Sequence, residues 1–301
     1  MQLSRSRKYR IYPNVEQQQK LAVQFGHARY VYNQALAARK EHYKETGKGL
    51  SAHQTIVSLV DHKQETPWLK EADSQVLQQK LRDLDTAYRN FFQKRAGYPK
   101  FKSKHGKQTI RYPQRVKFSD SKTYLPKVGW VSTVFHRPLE GVQKSVTVSK
   151  TKSGRYFISV LCELDLEVPE NNNPPIGIDL GLSSFAILST GEAIDSPQYF
   201  RKSEKKLAKA QKRLSRKRKG SANRAKARVK VARLHEHTAN QRKDFLHKLS
   251  HRVTTDFGFV GLETLNVKGM IKNHNLAKSI SDSGWAEFVS MCNYKSQTSG
   301  A

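Results

Sequence analysis

Apolar residues recur at three- to four-residue spacing in two stretches of the N-terminal third. Between 13 and 42, Leu21, Phe25, Ala28, Tyr32 and Leu36 fall on one helical face. Asn14 stands where a helix cap belongs, with Glu16 and Gln17 in the first turn. A second stripe, Val76, Leu77, Leu81, Leu84, Tyr88 and Phe92, predicts a helix over 73–93, and Gly47 and Gly49 break the segment between the two. Both stripes are expected in the core of a small helical bundle.

From Gly97 onward the pattern shortens to alternating runs bounded by Gly and Pro. Residues 144–150 and 155–168 read as strands joined through Lys152-Ser153-Gly154. Asn171-Asn172-Asn173-Pro174-Pro175 reads as a linker, and a new unit starts at Ile176. Its order is strand, hairpin, two long helices (201–218 and 222–256, broken at Gly220), strand 257–262, then a short helix near 285–294. Phe245, Leu246, Leu249 and Val253 give the second long helix an apolar face. The fold class expected is α/β preceded by an all-α part and a β part, with boundaries at 1–96, 97–173 and 176–301. Residues 201–256 form a basic helical insertion in the last.

Charge narrows the partner. The chain of 301 residues carries 55 Lys plus Arg against 25 Asp plus Glu, a formal net charge of +30. Half of the excess lies in 201–233, where sixteen Lys or Arg accompany one acid, Glu204. A compact chain so charged repels itself, and a polyanion is the natural counterweight. Nucleic acid fits better than an anionic membrane, because the basic block lacks a bulky apolar face. No stretch approaches the roughly 20 apolar residues of a membrane span, and the basic N-terminus leads into no apolar signal core. Cys162 and Cys292 are two lone cysteines, which excludes a disulfide framework and a Cys-x-x-Cys zinc site within these residues. A cytosolic protein is expected.

Two acids interrupt apolar strand runs: Asp179 in Ile176-Gly177-Ile178-Asp179-Leu180, and Glu263 after Phe259-Val260-Gly261-Leu262. Burying such a carboxylate requires a compensating cation. One reading is a pair of metal-binding acids meeting on neighbouring strands, as metal-assisted phosphodiester hydrolysis requires. The other is that each is a buried acid paired with its own Lys or Arg. Among rival constellations, His247 and His251 have i, i+4 spacing but no third ligand, and His235 and His237 sit inside the basic helix. There is no glycine-rich phosphate loop and no Ser or Cys nucleophile motif. Rings and cations interleave at Tyr98, Lys100, Phe101, Lys102, Lys104, Arg111, Tyr112 and Arg115, which suits stacking on bases beside neutralised phosphates; an ordinary solvated barrel surface is the alternative.

Five segments in order resemble the TnpB proteins of bacterial insertion sequences, over nearly the whole chain. They are Lys8-Tyr9-Arg10-Ile11-Tyr12-Pro13, Ala28-Arg29-Tyr30-Val31-Tyr32-Asn33, Tyr98-Pro99-Lys100-Phe101-Lys102-Ser103-Lys104, Gly177-Ile178-Asp179-Leu180-Gly181, and Gly261-Leu262-Glu263-Thr264-Leu265-Asn266-Val267. The resemblance implies an RNA-guided DNA endonuclease whose RuvC domain has an RNase H-like fold, preceded by a helical recognition lobe and a β-barrel-like wedge domain. Its partners would be a guide RNA copied from the element's end and a double-stranded DNA target read by base pairing. Asp179 and Glu263 would be catalytic and hold Mg²⁺ (or Mn²⁺). Lys8 and Arg10, the ring-and-cation segment, and Lys212, Arg213, Arg216, Lys217 and Arg218 would contact nucleic acid.

The family pattern also includes a zinc ribbon with paired Cys-x-x-Cys motifs and a third catalytic Asp, and neither occurs in these 301 residues. Asp282 and Glu287 match neither motif. Zinc is therefore expected for the family and lacks ligands here. Whether the chain is an active enzyme is left open. Impaired cleavage is expected, with a nuclease-dead guided repressor or a non-functional truncated relic as the alternatives.

Overall fold

The computed structural model describes residues 1–301, the side chain of Lys268 excepted. The chain forms two compact units, one of residues 2–165 and one of residues 166–301 with Met1.

The first unit opens with strand β1 (Gln2–Tyr12), followed by helices α1 (Val15–Thr46), α2 (Ala52–Glu65) and α3 (Ser74–Phe92), with a 3-10 turn over Pro67–Glu71. Local chemistry sets the boundaries. Asn14 and Gln17 close a capping box at the start of α1, Ser51 and Gln54 do the same for α2, and Gly47 ends α1 in the left-handed region at φ 67°. Strands β2 (Gln108–Tyr112), β3 (Lys117–Phe118), β4 (Lys122–Leu125), β5 (Gly129–Val134), β6 (Val142–Lys150) and β7 (Tyr156–Asp165) complete it. With β1 they make a seven-stranded antiparallel sheet in the order β2-β6-β7-β1-β5-β4-β3. The first strand of the chain is thus central to a sheet built mostly from residues beyond 107, between β7 and β5. One hydrophobic core joins helices and sheet: Leu21, Leu36, Leu77 and Leu84 pack with Tyr9, Ile110, Val148 and Ile158.

The second unit contains a four-stranded sheet of β8 (Pro175–Leu180), β9 (Ser184–Leu188), β10 (Ala193–Asp195) and β11 (Phe259–Leu262), in the order β10-β9-β8-β11. The first three run antiparallel to one another, and β11 pairs with β8 in parallel. Between β10 and β11 come helices α4 (Tyr199–Ser215) and α5 (Ala222–Asp256); after β11 come α6 (Val267–Met270), α7 (Ala277–Ser283) and α8 (Trp285–Ser299). Burial alternates along β8: Ile176, Ile178 and Leu180 face inward with Leu246, Leu249 and Val253 of α5 and Phe288 of α8. The other face of the strand is exposed. Upstream, α4 and α5 form an antiparallel hairpin joined by Leu207, Ala210 and Val231 and by a 3.0 Å hydrogen bond from Thr238 Oγ1 to Ser203.

The Asn-rich segment expected as a linker is bound into this second unit. Asn171 Nδ2 donates to the Phe257 carbonyl at 3.0 Å and Asn173 Nδ2 to that of Thr255 at 3.2 Å. A Cβ on Gly258 would stand 2.3 Å from the Asn171 carbonyl oxygen, so only glycine lets the two backbones approach this closely.

Candidate nucleic-acid interface and acidic site

Parallel pairing of β8 with β11 brings the two acids together. Leu262 is the register partner of Ile178, and Glu263 and Asp179 are the next residues along the two chains. Neighbouring strands lie about 4.8 Å apart, so the backbone brings position 179, in β8, and position 263, just past the end of β11, to the C-terminal ends of adjacent parallel strands. On the other side of β8, Asp179 is paired with Ile187 of β9.

Neither acid is buried. Asp179 and Glu263 are both exposed, and neither has a hydrogen bond or ion pair among the described residues. The sequence-based premise of a carboxylate inside an apolar strand, and with it the alternative of a buried acid neutralised by its own guanidinium, is corrected here. Asp179 shares the solvent face of β8 with Pro175 and Gly177. Because a glycine carries no side chain, an exposed glycine reads like part of an apolar run, and the alternation that marks a one-sided strand is masked.

Glu263 also borders a cavity of about 610 Å³ lined by Leu180, Val260, Leu262, Leu265 and Trp285. The donor set suits a hard divalent cation: two exposed carboxylates at neighbouring strand ends, with no cation paired to either among the described residues. Mg²⁺ is commonly held by one or two carboxylates together with water and substrate phosphate. Among the described residues no group of three or more His, Cys, Asp or Glu side chains could hold a metal ion. Asp282, set aside on sequence grounds, serves the fold. Both its carboxylate oxygens accept the Phe200 backbone N–H, at 3.0 and 3.1 Å, in the first turn of α4. Cys162 and Cys292 are free, buried thiols.

The cationic residues divide into accessible and committed groups. Lys212, Arg213, Arg216, Lys217 and Arg218 are all exposed around the tip of the α4–α5 hairpin, and none has a carboxylate partner among the described residues. Arg224 shapes that tip by donating to the Leu214 and Lys217 carbonyls at 3.0 and 2.8 Å. On β1, the Lys8 ammonium lies 4.2 Å and the Arg10 guanidinium 5.0 Å from the centre of the Phe157 ring.

In the segment after α3, Tyr98, Lys100, Phe101, Lys102 and Lys104 are exposed. Lys40 reaches over the rings of both Tyr98 and Phe101, at 5.4 and 4.9 Å. Lys102 is anchored through its backbone, which exchanges hydrogen bonds with the Asn33 side chain, while its ammonium sits over Tyr32. Burial, and then the nearby Lys80, push its pKa below the usual lysine value. Arg111 is tied to Asp83 at 3.0 Å.

Tyr112 does not belong in this set. It is 1% exposed and its hydroxyl donates to Gln24 Oε1 at 2.9 Å. In β2 the inward positions are Ile110 and Tyr112 and the outward one is Arg111, so strand parity places this ring in the core. The opposite correction applies to Phe92, expected inside the bundle but 74% exposed at the end of α3. Sequence reading missed the aromatic group it forms with Tyr88, Phe91 and Tyr98. The signal was the aromatic cluster Tyr88, Phe91, Phe92 and Tyr98 at and just beyond the end of α3, where the helix runs past the bundle.

Comparison with known proteins identifies the family. Residues 145–274 match the OrfB_IS605 family, described as "Probable transposase", and residues 1–48 match the helix-turn-helix domain of the same family. In this structure that N-terminal segment is a strand followed by one unbroken helix. A "Putative RNA-guided DNA endonuclease" of Streptomyces pristinaespiralis is 42% identical over 98% of this chain and 75% of its own length. "Putative RNA-guided DNA endonuclease InsQ" of Escherichia coli K12 is 36% identical over 96% of this chain and 76% of its own length. Among solved structures, the Cas12f1 chain in its complex with sgRNA and target DNA shares the fold, with a TM-score of 0.54 at 14% identity over 99% of this chain and 88% of that one. The chain belongs to the OrfB_IS605 (TnpB) family of insertion-sequence proteins, the family of these RNA-guided DNA endonuclease relatives.

Proposed function

We propose that this chain binds a guide RNA and, through it, a double-stranded DNA target, and that its 166–301 unit is a RuvC-type nuclease core of RNase H-like fold. The observation that carries the proposal is that Asp179 and Glu263 stand at the C-terminal ends of adjacent parallel strands, both exposed and without a cationic partner among the described residues. A sheet of three antiparallel strands with a fourth added in parallel to the first is the topology this fold requires. The seven-stranded sheet then corresponds to the wedge domain and α1–α3 to the recognition lobe. The reading also draws on the two relatives, each named a putative RNA-guided DNA endonuclease.

Asp179 and Glu263 are the residues that would hold Mg²⁺ or Mn²⁺. When bound, the ion supplies a water activated for attack on phosphorus and a positive charge for the leaving oxygen. The carboxylates contribute hard, anionic oxygen donors fixed by two strand backbones. The cations at the hairpin tip contribute phosphate neutralisation, which gives affinity and register while base pairing reads sequence. A cytosolic location belongs to the same proposal, and among the described residues no helix is long and apolar enough to cross a membrane.

A second reading, guided binding without efficient cutting, is favoured by one observation: the described residues contain no group of three or more His, Cys, Asp or Glu side chains that could hold a metal ion. Two carboxylates are few for the paired ions that clamp attacking and leaving oxygens. The test is purification of the chain from its native host with its bound RNA, followed by binding and cleavage of a duplex matched to that RNA. Retention of matched over mismatched duplex, with weak Mg²⁺-dependent cutting, is the expected result. Absence of bound RNA together with equal affinity for both duplexes would end the proposal.

A further inference from the structure

The end of α3 builds a cleft distinct from both the acidic site and the hairpin tip. Tyr88, Phe91 and Phe92 on α3, Tyr43 on α1, and Tyr98 border a cavity of about 440 Å³ with Arg39 and Asp85. Tyr98 meets both Tyr88 and Phe91 edge to face, at 5.7 and 5.2 Å between ring centres, and its hydroxyl lies 3.1 Å from that of Tyr88. Tyr43 and Phe92 remain exposed, so these rings do not close over themselves as a core would.

Two features say what the cleft takes. The first is charge: residues 94–107, which include Tyr98, carry six Lys or Arg and no acid, and Lys40 adds its ammonium beside Tyr98 and Phe101. The second is the wall: the Arg39 guanidinium, 6% exposed, pairs with Asp85 at 3.0 Å and lies 5.0 Å from the centre of the Tyr88 ring, so the rings are held in place by a cation that is already neutralised. A flat aromatic ligand with phosphates on either side is a nucleotide within a single strand. An apolar peptide does not answer the cationic rim.

We propose that the cleft between Tyr43, Phe92 and Tyr98 is a stacking site for one unpaired nucleobase, with its flanking phosphates met by Lys40, Arg89 and Lys100. This rests on the nucleic-acid-binding function proposed for the chain and adds where an unpaired base is held. RNA and displaced single-stranded DNA offer the same chemistry, and the test separates them.

The full chain is irradiated with single strands of about ten nucleotides, an RNA carrying one 4-thiouridine and a DNA carrying one 4-thiothymidine, and the cross-linked peptides are sequenced. Cross-links are expected within 39–43 or 88–101, and the oligonucleotide that gives them identifies the strand. Phe92→Leu and Tyr98→Leu keep apolar volume while removing a ring. Each is expected to weaken single-strand binding by about tenfold, and more than it weakens duplex binding. Cross-links confined to other segments, or single-strand affinity unchanged in both variants while salt-dependent binding persists, would overturn the stacking site alone. A dimer lost in Phe92→Leu with single-strand affinity unchanged would overturn it in favour of self-association. No nucleic-acid binding by the wild-type chain at any salt would remove the broader reading as well. The cross-linking arm needs no variant, so a folding defect in either substitution, visible by circular dichroism, leaves the test intact.

Discussion

Leu262 lies opposite Ile178 in the parallel pair β8–β11, and the residue that follows each is an acid. Two carboxylates so placed repel one another in water, and a divalent cation relieves that repulsion while satisfying its preference for oxygen donors. Mn²⁺ binding, followed by electron paramagnetic resonance, is therefore expected for the wild-type chain. Asp179→Asn and Glu263→Gln each keep the shape and remove one anionic ligand, and each is expected to weaken binding at least tenfold. Any guide-directed cutting should fall with it. Unchanged Mn²⁺ binding in the double variant would separate these acids from metal altogether.

What the sequence makes legible depends on whether the determinant is local. The starts of α1 and α3 are legible because Asn14 and Asp73 cap them through bonds two or three residues away. The adjacency of residues 179 and 263 is not, since strand order is set by tertiary packing of α5 against β8 and β9. Exposure of the two acids is hidden by Gly177 and Gly261. Tyr98 and Tyr112 have similar neighbours in sequence, and only strand parity in β2 separates a surface ring from a core one. Phe92 continues the apolar stripe of α3 past the point where the bundle has anything left to pack against it.

The hairpin tip should dominate the response to salt. On duplex DNA, every phosphate that a protein ceases to neutralise reduces the slope of log K against log salt by about 0.9. Replacing Lys212, Arg213, Arg216, Lys217 and Arg218 by Gln is expected to flatten that slope by up to about 4.5. Thermal stability should be nearly unchanged, since these side chains are exposed and have no carboxylate partners among the described residues. A duplex titration across salt concentrations checks it, and an unaltered slope would move the interface elsewhere.

Tyr112 distinguishes fold from interface. Tyr112→Phe removes the hydroxyl that satisfies buried Gln24, leaving an amide oxygen without its donor. The expected loss is about 1–3 kcal/mol in urea denaturation, with nucleic-acid affinity unaltered under conditions where the variant is folded. A fall in affinity with full stability would return this ring to the interface.

Cys292 gives a pH test. Burial raises its thiol pKa from 9.0 to about 11, so the folded chain holds a proton that the unfolded chain releases earlier. This contribution is present below pH 9 and is lost as the pH rises toward 11. Relative to Cys292→Ala, the wild-type advantage in unfolding free energy should be flat up to about pH 8. It should then shrink by about 2 kcal/mol by pH 11. A difference independent of pH would mean that the thiolate is tolerated where it sits.

Asp73 joins helix and sheet in the first unit through one carboxylate. Its Oδ1 accepts the Gln75 and Val76 backbone N–H groups at the start of α3, and its Oδ2 pairs with Arg115 at 2.6 Å. The Asp73 side chain is 4% exposed, whereas Arg115 is 56% exposed. Removing the arginine therefore leaves a buried carboxylate that still has two N–H donors, while removing the aspartate orphans both donors and the cap. Asp73→Ala is expected to lower stability by about 2–3 kcal/mol, the sum of a lost cap and a lost charged hydrogen bond. Arg115→Gln should cost about 1 kcal/mol or less, as a half-exposed ion pair does. Asp73→Asn, which can still cap but cannot form the ion pair, should fall between them in thermal denaturation. An order with Arg115→Gln the most damaging would show that the pair, and not the cap, holds the start of α3.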